Sequence, residues 1–432
     1  MGSSSLQRCF NELKEYRNNL KTYSFLRLII LVALLLISGF LMLFTIGYNT
    51  SIVSIILCVL SLSLLVGFTF YEYKYRGQKI NYIPLTTILV LCIAMFVVLI
   101  LQPLSYTISL YGYQDHLIEA TIDIDNGYKI RAFCSYIGLL ICLYNLVFLF
   151  PKSVKENRPF FIIAFSLLIL TSFVFCIISL CIEGSNYIDL IKNLNNNPQQ
   201  YATKFVFAHR NNWGFFMLVA LWSSILLSYL VHSKRLLFLP FIFYSFMMFS
   251  LCKTAIAIGG LVLLSCSIYL SINTYKQNKR QGTILISIIS VSCLAVLLIC
   301  LLTPIKDMIA VFVTKGGGDS LEARTIIWSK VIQMTSTPLK VLFGNGYKIL
   351  AKNLFEINNA DIYYSANWGT FTAHNMYLQV LGDGGILFLL AFLSLITYMW
   401  FSLIKYYKYE KVFVFILMVG FAALLGMWFF ES

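Results

Sequence analysis

Charge is what this chain has least of. Asp, Glu, Lys and Arg make up only 12% of its 432 residues, against about 25% in a soluble domain. So few charges cannot solvate a surface of this size, which excludes the two or three soluble domains that length alone would suggest. Acidic residues are the scarcer sign, 18 against 32 basic ones. The basic excess lies in short stretches between apolar runs, with no Arg/Lys-rich soluble segment interleaved with aromatics, so nucleic-acid binding is not expected. No C-x-x-C pair occurs among the 11 cysteines. Cys58, Cys92, Cys142, Cys266 and Cys293 sit inside apolar runs, and the Cys176–Cys181 interval is no recognised metal spacing. They read as small apolar residues, and neither metal nor cofactor is expected. A cleavable signal is also missing: residues 1–24 are largely polar, so the apolar run that follows reads as an anchor.

What is there is apolar sequence, 59% hydrophobic and 16% aromatic, with mean hydropathy +0.81. Runs near the roughly 20 residues that a span needs cover about 25–46, 51–71, 81–101, 132–150, 159–181, 206–230, 236–252, 254–273, 283–302, 385–404 and 411–430. Each must be a helix, because in lipid the backbone has to satisfy its own hydrogen bonds. The expected fold is an all-α polytopic membrane protein of about eleven transmembrane helices, or twelve in a longer chain, with a large, partly helical extracytoplasmic loop. Residues 1–24 form a cytoplasmic N-terminal segment and 25–205 carry helices 1–5 with their outer loops. Residues 206–302 carry helices 6–9, 303–373 form the large outer loop, and 374–432 hold the C-terminal helices. The short seventh and eighth runs meet at Cys252-Lys253-Thr254 as a tight hairpin.

Lys and Arg set the orientation. With the N-terminus inside, Arg8, Lys14, Arg17, Lys21 and Arg27 fall on the cytoplasmic side. So do Lys74/Arg76/Lys79, Lys152/Lys155/Arg158, Lys234/Arg235, Lys276/Lys279/Arg280 and Lys405/Lys408/Lys411. The long 303–373 segment is exempt, because long loops translocate regardless of charge. Three outer segments, 102–131, 182–205 and 303–373, are long enough to carry function, which concentrates in loops on a rigid scaffold.

Ionisable residues at membrane depth are costly and point to function. Arg210, in Ala208-His209-Arg210-Asn211-Asn212-Trp213-Gly214, stands at the outer entrance of the sixth span, and Lys253 at the tip of the hairpin. Snorkelling to the interface accounts for either alone; their equal height favours a shared anion site, with His209 secondary. In the outer loop, Gly316-Gly317-Gly318 is a flexible break, and Asp319 with Glu322 has the spacing of a helix start. A stripe at Arg324, Ile327/Trp328 and Val331 follows and stops before Pro338, and Phe343-Gly344-Asn345-Gly346-Tyr347 reads as a turn. A surface-lying amphipathic helix is the plainer account, except that Arg324 shares the apolar stripe with Trp328. The run from Ala373 to Gly385 leads into the tenth span. If it is helical, His374, Leu378, Leu381 and Gly385 share a face and Asn375 and Gln379 pair at i, i+4. Its glycines admit a close neighbouring helix. Histidine's pKa of about 6.5 suits proton transfer near neutrality. Asp123-Ile124-Asp125 has a metal-holding D-x-D spacing but reads as a solvated acidic loop beside Asp115 and Glu119.

In this order the pieces resemble the O-antigen polymerase and O-antigen ligase superfamily, the Wzy/WaaL-type membrane glycosyltransferases. Ser250-Leu251-Cys252-Lys253-Thr254-Ala255 opens the similarity. Ala323-Arg324 with Trp328, then Phe343-Gly344-Asn345-Gly346, occupy the loop, and His374-Asn375-x-Tyr377-Leu378-Gln379-x-Leu381-x-x-x-Gly385 closes it. The similarity covers roughly residues 205–405. The family commonly has Arg where Lys253 stands and Gly where Ala323 stands; lysine keeps the charge and loses the bidentate fork.

The resemblance implies a GT-C-like fold in the bacterial cytoplasmic (inner) membrane, with the active site on the periplasmic or extracellular face. It implies a metal-independent polymerase that transfers an undecaprenyl-pyrophosphate-linked glycan to an acceptor sugar hydroxyl, building O-antigen, capsule or exopolysaccharide. A ligase acting on lipid A core or protein is the alternative within the class, and a lipid-linked glycan transporter or flippase the alternative outside it. Implied partners are the lipid-linked donor and acceptor, membrane lipids, and chain-length regulator and flippase proteins. In that scheme Arg210, Lys253 and Arg324 bind the pyrophosphate, His374 is the general base, Arg324 assists catalysis, and Asn375, Gln379, His209 and Trp328 orient substrate.

Overall fold

The long helices follow the apolar runs; Pro240 and Pro338 stand in the first turns of two shorter ones, and Asn375 caps the helix that begins at Met376. The computed structural model describes residues 82–101, 105–111, 117–123, 154–193, 198–205, 210–301, 335–345 and 373–430, with isolated positions between them. The expected spans at 25–46, 51–71 and 132–150 lie almost wholly outside the described residues.

The described helices are α1 (Tyr82–Leu101), α2 (Val154–Lys192), α3 (Arg210–Leu230), α4 (Leu239–Phe249), α5 (Lys253–Gln277), α6 (Lys279–Leu301), α7 (Pro338–Phe343), α8 (Met376–Tyr407) and α9 (Lys411–Phe430). Five of the stretches, Phe161–Lys192, Arg210–Leu230, Lys253–Gln277, Met376–Tyr407 and Lys411–Phe429, are long and apolar enough to cross a membrane. α1 shows why lipid is the fitting solvent. Ile83, Leu89, Ile93, Phe96 and Ile100 are more than half exposed while Ile88 and Leu91 are buried, so the helix is apolar on every side.

Three elements differ from the expectations. The expected fold is all-α, yet the described residues of the first outer segment include strands: β1 (Ser105–Tyr111) and β2 (Leu117–Asp123) pair as an antiparallel hairpin, with Ser105 opposite Asp123 and Tyr111 opposite Leu117. The cause is legible in the chain, since Tyr106, Ile108 and Leu110 alternate with polar residues at period two. Asp123 therefore ends a strand, and Asp125 lies outside the described residues. In the second outer segment, α2 continues to Lys192, past the expected end at 181. It breaks its helical angles only at Glu183 (φ −109°, ψ 18°). The Glu183 side chain explains the bend: its Oε2 accepts from Phe205 N at 3.1 Å and Ser179 Oγ at 3.3 Å, tying the return of the chain to the helix. Third, α4 holds 11 residues, about 16 Å of helix, against about 30 Å of hydrocarbon. It starts late because Pro240 fixes its first turn, behind a 3₁₀ turn at Lys234–Phe238.

Contacts divide the chain into two units. The first comprises Met1–Leu13, Arg158–Asp319 and Leu403–Met427; the second comprises Lys14–Asn157, Ser320–Ser402 and Trp428–Ser432. In the first unit α3 packs against α4 and α5, and Trp213, Met217, Leu221, Phe243, Met247 and Ala255 are completely buried. The end of the Met247 side chain lies where a Cβ on Gly259 would stand, so α5 meets α4 there through side-chain packing. Trp222 donates from Nε1 to Ile416 O at 2.9 Å, and its ring fills the space beside Gly420 that a Cβ would take. In the second unit, Thr325, Trp328, Ser329, Val331 and Ile332 are helical, and α7 contacts α1.

Candidate functional site

In the second unit the chain makes a clamp around one residue, His374. The helix does not include it. α8 starts at Met376, and His374 has φ +48°, a left-handed conformation that non-glycine residues seldom adopt. The expected shared face with Leu378, Leu381 and Gly385 is therefore not formed. Asn375 is what ends that expectation. Its Oδ1 accepts from Tyr377 N at 3.0 Å and Leu378 N at 3.1 Å, a side-chain cap on the helix start. Asn375 is 3% exposed, so these bonds form away from water. Asn375 and Gln379 meet through the backbone, Gln379 N donating to Asn375 O at 2.8 Å, and not through their side chains as the i, i+4 pairing predicts.

Ala373, on the other side of His374, is held at both backbone groups. Its N–H donates to Gln379 Oε1 at 2.8 Å, and its carbonyl accepts from Trp328 Nε1 at 3.0 Å. The Gln379 amide continues to Asp383, Nε2 donating to Oδ2 at 2.8 Å. The Trp328 ring is set edge-on to Phe429, with centroids 5.8 Å apart. Val331, one turn on, is fully buried, while Arg324 and Ile327, the other members of the expected stripe, lie outside the described residues.

The Phe343-Gly344-Asn345 turn locks the other end of this segment. Asn345 donates from N at 2.7 Å and from Nδ2 at 3.2 Å to Gly382 O. Gly344 (φ +77°) and Gly385 (φ +73°) interlock: a Cβ on Gly344 would strike the backbone of Asp383 and Gly384, and one on Gly385 the backbone of Leu342 and Phe343. What Gly385 admits is thus the last turn of α7, a short helix at close approach, as its place in the sequence suggests. Gly385 also breaks the helical angles within α8. Asp383 is 8% exposed, and its Oδ1 has no hydrogen-bond partner among the described residues. Sequence reading gives Asp383 no role, although its place four residues beyond Gln379 is the signal of a side-chain pair.

In the first unit, Arg210 opens α3 and Lys253 opens α5. The starts of these helices touch. A Cβ on Gly214 would lie 2.7 Å from Cys252 Cβ, 2.9 Å from Ser250 Oγ and 3.2 Å from Ala255 Cβ. The hairpin turn is built by Ser250, whose Oγ donates to Met247 O at 2.6 Å and accepts from Cys252 N at 3.1 Å. Leu251 takes φ +51° to close it. The starts of α3 and α5, with Arg210 and Lys253 as their first residues, thus lie at one end of this unit, and helix N-termini favour anions. His209 and Arg324 lie outside the described residues, as do Asp319, Glu322 and Ile327. Among the described residues, no group of three or more His, Cys, Asp or Glu is placed to hold a metal ion.

Comparison of the chain with protein-family models, with curated proteins and with solved structures gives no match in any of the three.

Proposed function

We propose that this protein is a membrane glycosyltransferase that polymerises undecaprenyl-pyrophosphate-linked oligosaccharide repeats, with His374 activating the acceptor hydroxyl as general base. The observation that supports the reading is the clamp on His374. A left-handed non-glycine residue costs roughly 1–2 kcal/mol, and here it is held by bonds to both neighbouring residues. Strain retained at one residue with a titratable side chain fits a preorganised catalytic group. A proton acceptor must keep a fixed direction to the hydroxyl it serves, and a clamped backbone supplies that direction.

The donor in this reading carries its own leaving group, so the reaction needs no nucleotide site. Arg210, Lys253 and Arg324 are assigned to the pyrophosphate, through charge-assisted bonds to phosphate oxygens. Asn375, Gln379 and Trp328 act by holding His374. The reading includes about eleven spans, a GT-C-like architecture, a cytoplasmic N-terminus and placement in a bacterial cytoplasmic membrane with the site outside.

The test is turnover of a synthetic lipid-linked repeat unit by purified full-length protein in nanodiscs. The expected result is a ladder of lipid-linked products that His374→Ala slows by about 10²–10⁴-fold, the range of a general base. Wild-type product lengths and rates from His374→Ala would overturn the assignment.

A further inference from the structure

Gln379 lies between two groups that cannot both be served by the same end of its amide. The Ala373 N–H is a donor only, so the side-chain atom facing it must be Oε1; Nε2 is then turned toward the Asp383 carboxyl. The Asp383 carboxyl takes the other end of the amide, its Oδ2 accepting from Nε2 at 2.8 Å. Asp383 keeps this position at a cost: it is 8% exposed, and Oδ1 has no partner among the described residues while Oδ2 serves Gln379. A buried polar atom left unsatisfied calls for a reason beyond packing.

The chain of bonds gives one. Asp383 is fixed to the loop side of the unit, because Asn345 binds the carbonyl of the preceding residue, Gly382, through both of its donors. From that anchor the order runs Asp383 Oδ2, Gln379 Nε2, Gln379 Oε1, and ends at the N–H of Ala373, the residue before the left-handed His374. We propose that Asp383 is a positioning residue that acts through Gln379: it selects the amide orientation that holds Ala373, and so keeps His374 in its left-handed conformation. The mechanical part stands by itself, while its consequence for catalysis rests on the transferase reading above.

Two variants of the full-length protein in nanodiscs test it. Gln379→Leu removes both bonds of the relay with little change in volume. The double variant Gln379→Glu with Asp383→Asn reverses the polarity of one link and keeps every bond. The carboxylate introduced at position 379 accepts from Ala373 N on one oxygen and from the side-chain amide at position 383 on the other. Amide hydrogen exchange at Ala373 and His374 reports the clamp without any assay of activity, and exchange in α5 serves as the control for global folding.

The expected result is roughly 2- to 10-fold faster exchange at Ala373 in Gln379→Leu, the effect of one lost hydrogen bond, and a return to the wild-type rate in the double variant. Turnover follows the same order, with kcat lowered in Gln379→Leu and KM for the lipid-linked glycan unchanged. Wild-type exchange in Gln379→Leu overturns the relay, and so does a double variant as open as the single one. Exchange that follows the expected order in a protein with no turnover at all leaves the relay standing and removes the transferase reading instead.

Discussion

Gly385→Ala places a methyl group where the Leu342 carbonyl and the Phe343 amide already lie. Two costs add. At φ +73° and ψ −172° the backbone is in a region that is essentially glycine-only, worth about 1–3 kcal/mol to a residue with a Cβ. The obstructing atoms are backbone, so no rotamer change clears them, and overpacking adds about 1–3 kcal/mol. Gly344→Ala meets the reciprocal obstacle, Asp383 and Gly384, from φ +77°. Each substitution should therefore pry the Phe343-Gly344-Asn345 turn off Gly382 at a cost of about 2–6 kcal/mol. Gly184→Ala is the control. It lies within α2 with nothing inside 4 Å of its added Cβ, and alanine there gains about 0.5–1 kcal/mol in helix stability. Thermal unfolding of the detergent-solubilised protein, followed by tryptophan fluorescence, should show Tm lowered by several degrees for the first two and unchanged or raised for the third. Wild-type melting in both Gly344→Ala and Gly385→Ala would refute the interlock, and with it the argument that this segment is held rigid from the loop side.

Asn375→Ala removes the cap of α8 and should cost about 0.5–2 kcal/mol, read as lowered Tm with faster amide exchange at Tyr377 and Leu378. Trp328→Phe keeps an aromatic ring against Phe429 but removes the donor to Ala373 O; Tm should fall little while turnover drops several-fold, and an equal loss of both would make Trp328 a packing residue only. His374→Gly relieves a left-handed penalty of about 1–2 kcal/mol and adds about 0.5–1 kcal/mol of backbone entropy loss. Its Tm should therefore match or exceed wild type while turnover stops, and a clear fall in Tm would show that the imidazole is a structural prop.

The five helices long enough to span are legible because each is long and apolar, and such a stretch has few alternatives in lipid. Where sequence and structure part, the deciding interaction lies outside the stretch being read. The apolar run ends at 181, yet α2 runs on to Lys192, with its bend at Glu183 tied by that side chain to Phe205, 22 residues away. Residues 236–252 have the hydropathy of a span, but Pro240 and the 3₁₀ turn before it leave an 11-residue α-helix. The hairpin at Ser105–Asp123 escapes a reading tuned to long helical runs, because two short strands give a weak signal beside them, although their alternation is present.

The site shows the same division at finer scale. That Asn375 precedes an apolar run is a helix-start signal in plain view, and the cap forms there. Placing His374 within the helix overlooks what that signal requires, since the residue before a cap stands outside the helix and is free to take another backbone conformation. Its φ of +48° then depends on bonds that reach across the chain, from Trp328, 45 residues earlier, to Ala373, and from Asn345, 37 residues earlier, to Gly382. No spacing rule links those positions. A sequence motif can name the residues that do chemistry, but their direction is set by partners whose own identity, an indole, an amide, a glycine, looks ordinary until the fold brings them to the same backbone. Asp383 belongs to this second kind. It has no motif of its own in the chain, and its importance follows only from which way it obliges Gln379 to face.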